Sequence, residues 1–399
     1  MKKTLGVYVE VPFCASKCTF CNFSSQVAPA GVFDPYTRAL EQEIDRLPEI
    51  YASAGLVNNP QNGAPLLGLL VDSVYLGGGT PSLLGAQRLS RLVAALRRRF
   101  RFARNVEFTL ELTPDSAGEE FLTRARGAGV NRLSVGAQSF DDRELAAVGR
   151  LHSARDTVET VSRARRAGFQ NVNLDLIAGL PHQTEASWLR SLTSIAELRP
   201  EHASVYLFEA DEKSRLGRAV LQHGAAYHAA AVPDDDFMAW AYDRAREFLA
   251  EQGYERYEIS NFALPGFESR HNRKYWRLDP YVGLGAGAHS FDGLRRWANE
   301  TPAEAYQARL SIGGAPVADV RTLSPQEQLE EFFFLGLRQR SGVDLAAAGR
   351  RWGEEQISRL EAKIGALVED GWIERRAHRI CMSERGYLVS NEIFQEFIM

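Results

Sequence analysis

The chain is 399 residues long, more than one domain usually holds, and 45% of it is apolar, enough for one large core and a smaller one. A net charge of −4 and a pI near 6.1 exclude a global electrostatic pull towards nucleic acid or an anionic membrane, so partners must be read from local sites. The opening MKKTLGVYVEV has too short an apolar run before Pro12 for a signal peptide, and no stretch reaches the ~20 apolar residues of a membrane span, so the expectation is a cytoplasmic protein making at most transient contact with membrane proteins.

Leu5 to Val11 reads as a strand and runs directly into Cys14, Cys18 and Cys21, spaced by three residues and then two. Three thiolates on one short loop can hold three corners of a cubane [4Fe-4S] cluster and leave the fourth iron open. A structural zinc site would need a fourth ligand close by. The first histidine of the chain is His152, and Cys381 stands near the other end. Three unliganded cysteines are the remaining alternative, but Pro12, Phe13 and Phe20 shape the loop, and such patterns in reducing compartments more often bind metal than form disulfides.

A helical pattern follows from Asp34 to Gly55, with Leu40, Ile44 and Leu47 on one face, and then the turn-rich NNPQNGAP at 58 to 65. Val71 to Leu76 reads as a strand ending in Gly77-Gly78-Gly79-Thr80-Pro81, and Leu84 to Phe100 as a helix closed by Arg97, Arg98 and Arg99, where cations suit the helix dipole. Further strands are predicted at Val106 to Leu112, Arg132 to Ala137, Asn171 to Ile177 and Ser204 to Phe208. Helical patterns follow near 117 to 128, 153 to 167, 184 to 198 and 235 to 252, the last capped by the aspartates at 234 to 236. Six βα repeats imply a parallel sheet with right-handed crossovers, and a partial TIM-like (β/α)6 barrel is its natural closure. Barrel chemistry collects at the carboxyl ends of strands, and there stand the cysteines, Gly77 to Thr80, Glu111, Gln138 and Asp175, with Arg150 in reach of the same face. The glycine run is neither a dinucleotide fingerprint nor a P-loop. It fits close backbone approach to a ligand as well as it fits a tight structural turn.

CxxxCxxC with an aromatic before its last cysteine resembles the signature of the radical S-adenosylmethionine (SAM) superfamily. That resemblance implies a [4Fe-4S] cluster on Cys14, Cys18 and Cys21 with SAM chelating the open iron. YVEVPFC, CTFCNF, YLGGGTPSLL, LSVGAQSF, GRLHS, NLDLIAGLP and YEISNFA narrow it to the oxygen-independent coproporphyrinogen III oxidases and the related haem chaperones, HemW. By position, the resemblance implies SAM contacts at Tyr8, Phe20, Gly78, Gly79, Thr80, Glu111, Gln138, Arg150 and Asp175. The oxidase branch has a further cysteine where this chain has Phe23, and an N-terminal extension that is missing ahead of Leu5, so the chaperone branch matches better. SRHNRKYW, residues 269 to 276, resembles the HNxxYW motif of that branch. It implies haem binding with His271 as the iron ligand and Asn272, Tyr275 and Trp276 beside it. Read from the residues alone, His271 would be a hydrogen-bonding loop residue, and His289 in GLGAGAHSF is the competing ligand.

The expected organisation is a barrel over 1–293, a linker over 294–320 with a turn at Gly313-Gly314, and a C-terminal domain over 321–399. In that domain helical patterns at Pro325 to Gln339 and Gln356 to Asp370 precede a hairpin of Trp372-Ile373 and Arg379 to Met382. This order suggests a winged-helix-like domain, but its net charge is −3 from Ser324 to Met399, where DNA binders are basic, so capping of the barrel is expected instead, with Cys381 in the core. Three functions stay open. One is a haem carrier that takes electrons from a donor and passes haem to an acceptor protein. The second is an oxidase decarboxylating coproporphyrinogen III through a 5′-deoxyadenosyl radical, and the third a radical SAM enzyme with another substrate.

Overall fold

Leu5, Val7, Val9 and Val11 alternate with Gly6, Tyr8 and Glu10, which gives the first strand one apolar and one polar face. In the computed structural model, which describes residues 3–57 and 65–398, this strand, β1 (Leu5–Val11), has parallel neighbours on both sides. Its apolar face shares a core with helix α1 (Phe33–Ser53), and its polar face turns into the barrel. The strands β2 (Val71–Gly78), β3 (Phe102–Leu112), β4 (Arg132–Gln138), β5 (Val172–Ala178) and β6 (His202–Leu207) follow in spatial order, all parallel. Parallel neighbours need crossovers, and these contain α2 (Gly85–Arg99), α3 (Glu119–Ala128), α4 (Asp142–Ala147), α5 (Ala154–Arg166) and α6 (Glu185–Leu198). The expected six-unit partial barrel is present. Beyond β6 stand α7 (Arg215–Leu221) and α8 (Asp235–Glu251), the latter capped by Asp234 on the Phe237 N–H. The loop expected at 58–65 lies outside the described residues except for Pro65.

The barrel does not close on itself. Past β6 the sheet turns antiparallel through β8 (Asn261–Ala263) to β7 (Glu255–Arg256), and beyond β1 it continues into the parallel strand β9 (Tyr281–Leu284). The short helix α9 (Arg270–Trp276) carries the HNxxYW residues between them. Residues 294–320, expected to be a linker, instead extend this edge. After β10 (His289–Phe291) come the antiparallel strands β11 (Arg295–Asn299) and β12 (Val317–Thr322), joined through helix α10 (Ala303–Ser311), whose Tyr306 and Leu310 sit in the main core.

One buried side chain fastens this extension to the barrel. Glu43 of α1 is 3% exposed. It accepts from the Gly285 N–H at 2.8 Å, from Tyr306 Oη at 2.6 Å and from Asn299 Nδ2 at 2.6 Å. Burial pushes its carboxyl up to about 7, against the hydrogen bonds that pull it down.

The C-terminal region builds its own core from helix α11 (Pro325–Arg338), strand β13 (Val343–Asp344), helices α12 (Leu345–Trp352) and α13 (Glu354–Glu369), and the hairpin β14 (Ile373–Arg376) and β15 (Arg379–Met382). That order, with β13 pairing to the hairpin, is the expected winged-helix arrangement, and Cys381 is buried in it. Polar links join it to the barrel, among them the following. Arg338 Nε donates to the fully buried Glu258 at 2.7 Å, Gln339 Nε2 to the Trp276 carbonyl at 3.1 Å, and Arg256 to Glu384 at 2.9 and 3.0 Å.

Glu43→Ala leaves three donors without their acceptor and is expected to destabilise the fold by about 3 kcal/mol or more, read as a lower denaturant midpoint. The folded carboxyl holds its proton more tightly than an unfolded one, so the contribution of Glu43 to stability declines as pH rises from 4.5 to about 7 and then levels off. Glu43→Ala should abolish that pH dependence.

Candidate cofactor site at the carboxyl end of the barrel

Beyond β1 the chain makes a two-residue parallel pairing, Phe13 with Gln26 and Cys14 with Val27, which closes the base of the cysteine loop. Lys17 braces the loop from inside, donating to the Phe23 carbonyl at 3.0 Å and the Ser25 carbonyl at 2.8 Å. Outside ties run from the Thr19 N–H to Val148, from the Leu216 N–H to Thr19, and from Asn22 Nδ2 to Asp211. So held, Cys14, Cys18 and Cys21 are partly exposed and line one cavity. Each sulfur has a polar neighbour: Thr80 Oγ1 at 3.7 Å from Cys14, Arg150 Nη1 at 3.4 Å from Cys18, and Ser25 Oγ at 4.0 Å from Cys21.

The glycine turn lies against this loop, backbone to backbone. The Gly79 N–H donates to Val11 and the Thr80 N–H to Phe13, each at 2.8 Å. A Cβ on Gly79 would stand 2.5 Å from the Phe13 carbonyl oxygen, and one on Gly78, whose φ is 105°, would stand 1.9 Å from Glu10 Oε1. No other residue type fits that approach.

Carboxylates form the floor. Glu111 accepts from Tyr75 Oη at 2.6 Å and from the Gly78 N–H at 3.2 Å, and burial pushes its carboxyl up to about 8, with Asp175 and Glu10 raising it further by their charge. Asp175 accepts from Asn173 Nδ2 at 2.7 Å and is likewise raised by burial. Arg150 spans from Cys18 to the Gly136 carbonyl, 2.7 Å away. Gln138 ends β4 with a left-handed φ of 67°, a non-glycine residue in a strained conformation beside the cavity.

The cavity measures about 630 Å³, within the range that encloses a small organic ligand. It unites the three cysteines with Phe20, Gly78, Gly79, Thr80, Glu111, Gln138, Arg150 and Asp175. Among the described residues, no three His, Cys, Asp or Glu side chains converge on one point as the ligands of a single ion would. A cubane makes a different demand, one thiolate on each of three irons. Three thiols around a glycine cradle, with carboxylates below and a cation beside one sulfur, fit a cluster carrying a small ligand with hydrogen-bond donors.

Tyr8 does not line the cavity. Its hydroxyl donates to Glu10 Oε2 at 2.8 Å and its ring stacks on Tyr75, a layer below the floor. Glu10 itself went unread in the sequence, although its alternation with Tyr8 on the polar face of β1 was a signal. Tyr206 and, from the C-terminal region, Arg338 and Asn391 also reach the cavity, positions that no motif marked.

The HNxxYW residues lie at the opposite end of the barrel. Helix α9 plugs the amino ends of the strands, with Ser269 as its N-cap on the Asn272 N–H. Glu107 of β3 accepts from the N–H groups of Arg270 and His271, and Lys274 pairs with Asp72 at 2.8 Å. His271 is 1% exposed. Its Nδ1 lies 3.0 Å from Ser73 Oγ and its Nε2 2.9 Å from Tyr275 Oη, so both ring nitrogens are engaged. Burial lowers its pKa to about 3, with Lys274 and Arg132 adding to the effect, so the ring is neutral. Tyr275 packs edge-on against it, and Trp276 lies under the Arg338 guanidinium. His289, by contrast, is exposed at the start of β10.

Gly79→Ala should push the Phe13 backbone, and with it Cys14, out of place. Protein reconstituted with iron and sulfide is expected to retain less than half the wild-type iron. Gly118→Ala, with nothing within 4 Å of its added Cβ, should retain all of it.

Comparison with known proteins agrees with this geometry. A model of the radical SAM superfamily matches residues 62–195 and a model of the HemN C-terminal domain matches residues 323–389. The haem chaperone HemW of Bacillus subtilis (strain 168) is 33% identical over 395 residues, 98% of this chain and 99% of the relative. The mitochondrial radical S-adenosyl methionine domain-containing protein 1 of Bos taurus is 35% identical over 85% of this chain and 74% of its own. Among solved structures, the coproporphyrinogen III oxidase HemN of Escherichia coli, a radical SAM enzyme, superposes with a TM-score of 0.84 at 24% identity, covering 100% of this chain and 90% of its own, a likeness of fold. The full-length identity is decisive: the chain belongs to the HemW haem chaperone family, a radical SAM family with a HemN-type C-terminal domain.

Proposed function

We propose that this protein is a haem chaperone, one that holds a [4Fe-4S] cluster with SAM on its open iron, binds haem and hands it to an acceptor protein. The observation that carries the reading is the 33% identity over 98% of the chain to a relative named haem chaperone HemW. Phe23, 67% exposed at the rim of the cavity, supports it over the oxidase, whose motif resembles this one with a cysteine there.

A bound cluster would supply SAM with an open coordination position and one electron, delivered by a separate donor. Cys14, Cys18 and Cys21 would each ligate one iron as thiolates. Thr80 and Arg150 would donate hydrogen bonds to two of those sulfurs, which moves the cluster potential upward. Gly78 and Gly79 would let SAM approach the backbone, Glu111 and Asp175 would accept from its donors, and Arg150 and Gln138 would border it. A reducing cytoplasm suits three free thiols. Among the described residues, no helix is long and apolar enough to cross a membrane.

For haem iron, the HNxxYW resemblance supports His271, with Asn272, Tyr275 and Trp276 around the porphyrin. Burial and the two hydrogen bonds of its ring mean that iron would reach His271 only after α9 leaves the barrel base. Exposure favours His289 as a second reading, since it needs no rearrangement.

Iron and sulfide analysis of anaerobically reconstituted variants tests the cluster: Cys14→Ala, Cys18→Ala and Cys21→Ala should each lose it, and Cys381→Ala should keep it. Haem titration tests the rest. Wild type should bind one haem with a ligated-haem spectrum that changes in His271→Ala, and more slowly in wild type than in Glu107→Gln, which loosens α9. A change confined to His289→Ala moves the ligand there. Turnover of coproporphyrinogen III by reduced protein with SAM would overturn the chaperone reading.

A further inference from the structure

The glycine cradle rests on a carboxylate with no assigned task. Glu10 projects from β1 into the barrel beneath Gly78, so close that Gly78 has no room for a side chain. Across that same glycine, Glu111 accepts the Gly78 N–H at 3.2 Å. One residue's backbone is thus held between two acids, with a third, Asp175, on β5.

We propose that Glu10 is a positioning residue of the cofactor cavity: packed against Gly78 behind the two carboxylates that line the floor, Glu111 and Asp175, it adds a third acid to a site that selects a cationic ligand and releases protons as that ligand binds. The inference rests on the proposed binding of SAM, whose sulfonium is a permanent cation.

The surroundings explain why protons must move. Burial pushes the Glu10 carboxyl up to about 7, with the Tyr8 hydrogen bond pulling the other way, and Glu111 up to about 8. Facing them are the hydroxyls of Tyr8 on β1, Tyr75 on β2, Tyr36 on α1 and Tyr275 on α9. The cations are Arg132 and Arg150 of the β4 unit, which act on Asp175. Asp175 and Glu10 raise Glu111 further by their charge, so near neutral pH the ligand-free floor keeps part of its protons. A cation above the floor favours the ionised forms and expels those protons. Affinity for SAM therefore rises with pH up to the window of about 7 to about 8 and levels off above it, where Glu10 and Glu111 are already charged without the ligand.

The test is calorimetric titration of cluster-loaded protein with SAM and, separately, with S-adenosylhomocysteine, which lacks the sulfonium charge. Running each in two buffers of different ionisation enthalpy counts the protons. Wild type should release about one proton per SAM near pH 7 and measurably fewer per S-adenosylhomocysteine. Glu10→Gln should cut that release by about half and lower the affinity ratio of SAM to S-adenosylhomocysteine about tenfold. Tyr8→Phe removes the bond that holds the Glu10 carboxyl down and should move the window to higher pH, with the cluster retained. The SAM amino group titrates identically in all variants and drops out of the differences. Unchanged proton release and an unchanged affinity ratio in Glu10→Gln would overturn the inference, and if that variant loses its cluster, an unmoved window in Tyr8→Phe does so. Failure of SAM to bind wild type with an intact cluster at any pH would instead overturn the proposed function.

Discussion

The approach of the Gly79 backbone to the backbone of Phe13 is the constraint on which the cofactor site depends. Two hydrogen bonds, Gly79 to Val11 and Thr80 to Phe13, continue the ladder between β1 and β2 past the ends of both strands. They weld the loop that carries the thiols to the turn that would receive the ligand. Parallel pairing sets the register, Glu10 beside Gly77 and Val11 beside Gly78, and a slip of one residue would turn the polar face of β1 into the apolar core. The barrel scaffold, five crossovers and a shared core, is what makes that slip costly.

Much of this was legible because the relevant patterns are local. Alternation in Leu5 to Val11 marked a strand, and cysteine spacing marked a loop that can hold a cluster. The polar ends of β3, β4 and β5 converge because parallel strands in one barrel end at one face. Tyr8 stands apart from the other expected SAM contacts for a geometric reason. It points into the barrel as its alternation implies, but at ~3.3 Å per residue it sits ~10 Å before the end of β1, under the floor rather than in it. The segment 294–320 hid its strands because they lie at the sheet edge, where exposed Asp319, Val320 and Arg321 break the apolar signal. The role of Glu43 could not be read at all, since its three partners lie more than 240 positions away.

The HNxxYW residues show the limit of a motif read without its fold. Spacing alone sets His271 and Tyr275 on one helical face, and the structure uses that face to plug the barrel base. The imidazole also packs against Tyr75, whose hydroxyl donates to Glu111. The two ends of the barrel are therefore joined by a short column of rings, one end holding a neutral histidine and the other the acid floor.

The salt bridge from Arg338 to Glu258 has a consequence for modularity. Glu258 is 0% exposed, and its other oxygen accepts from the Ser260 N–H and Asn261 Nδ2, so the carboxylate is fully engaged only when the C-terminal helix brings its guanidinium. Removing one partner of such a buried pair costs about 3 to 5 kcal/mol, a large share of the stability of a typical domain. The two regions that family models recognise separately are thus energetically coupled through this pair. A C-terminal region brought in without an arginine at the place of Arg338 would leave the buried Glu258 of this barrel without that donor.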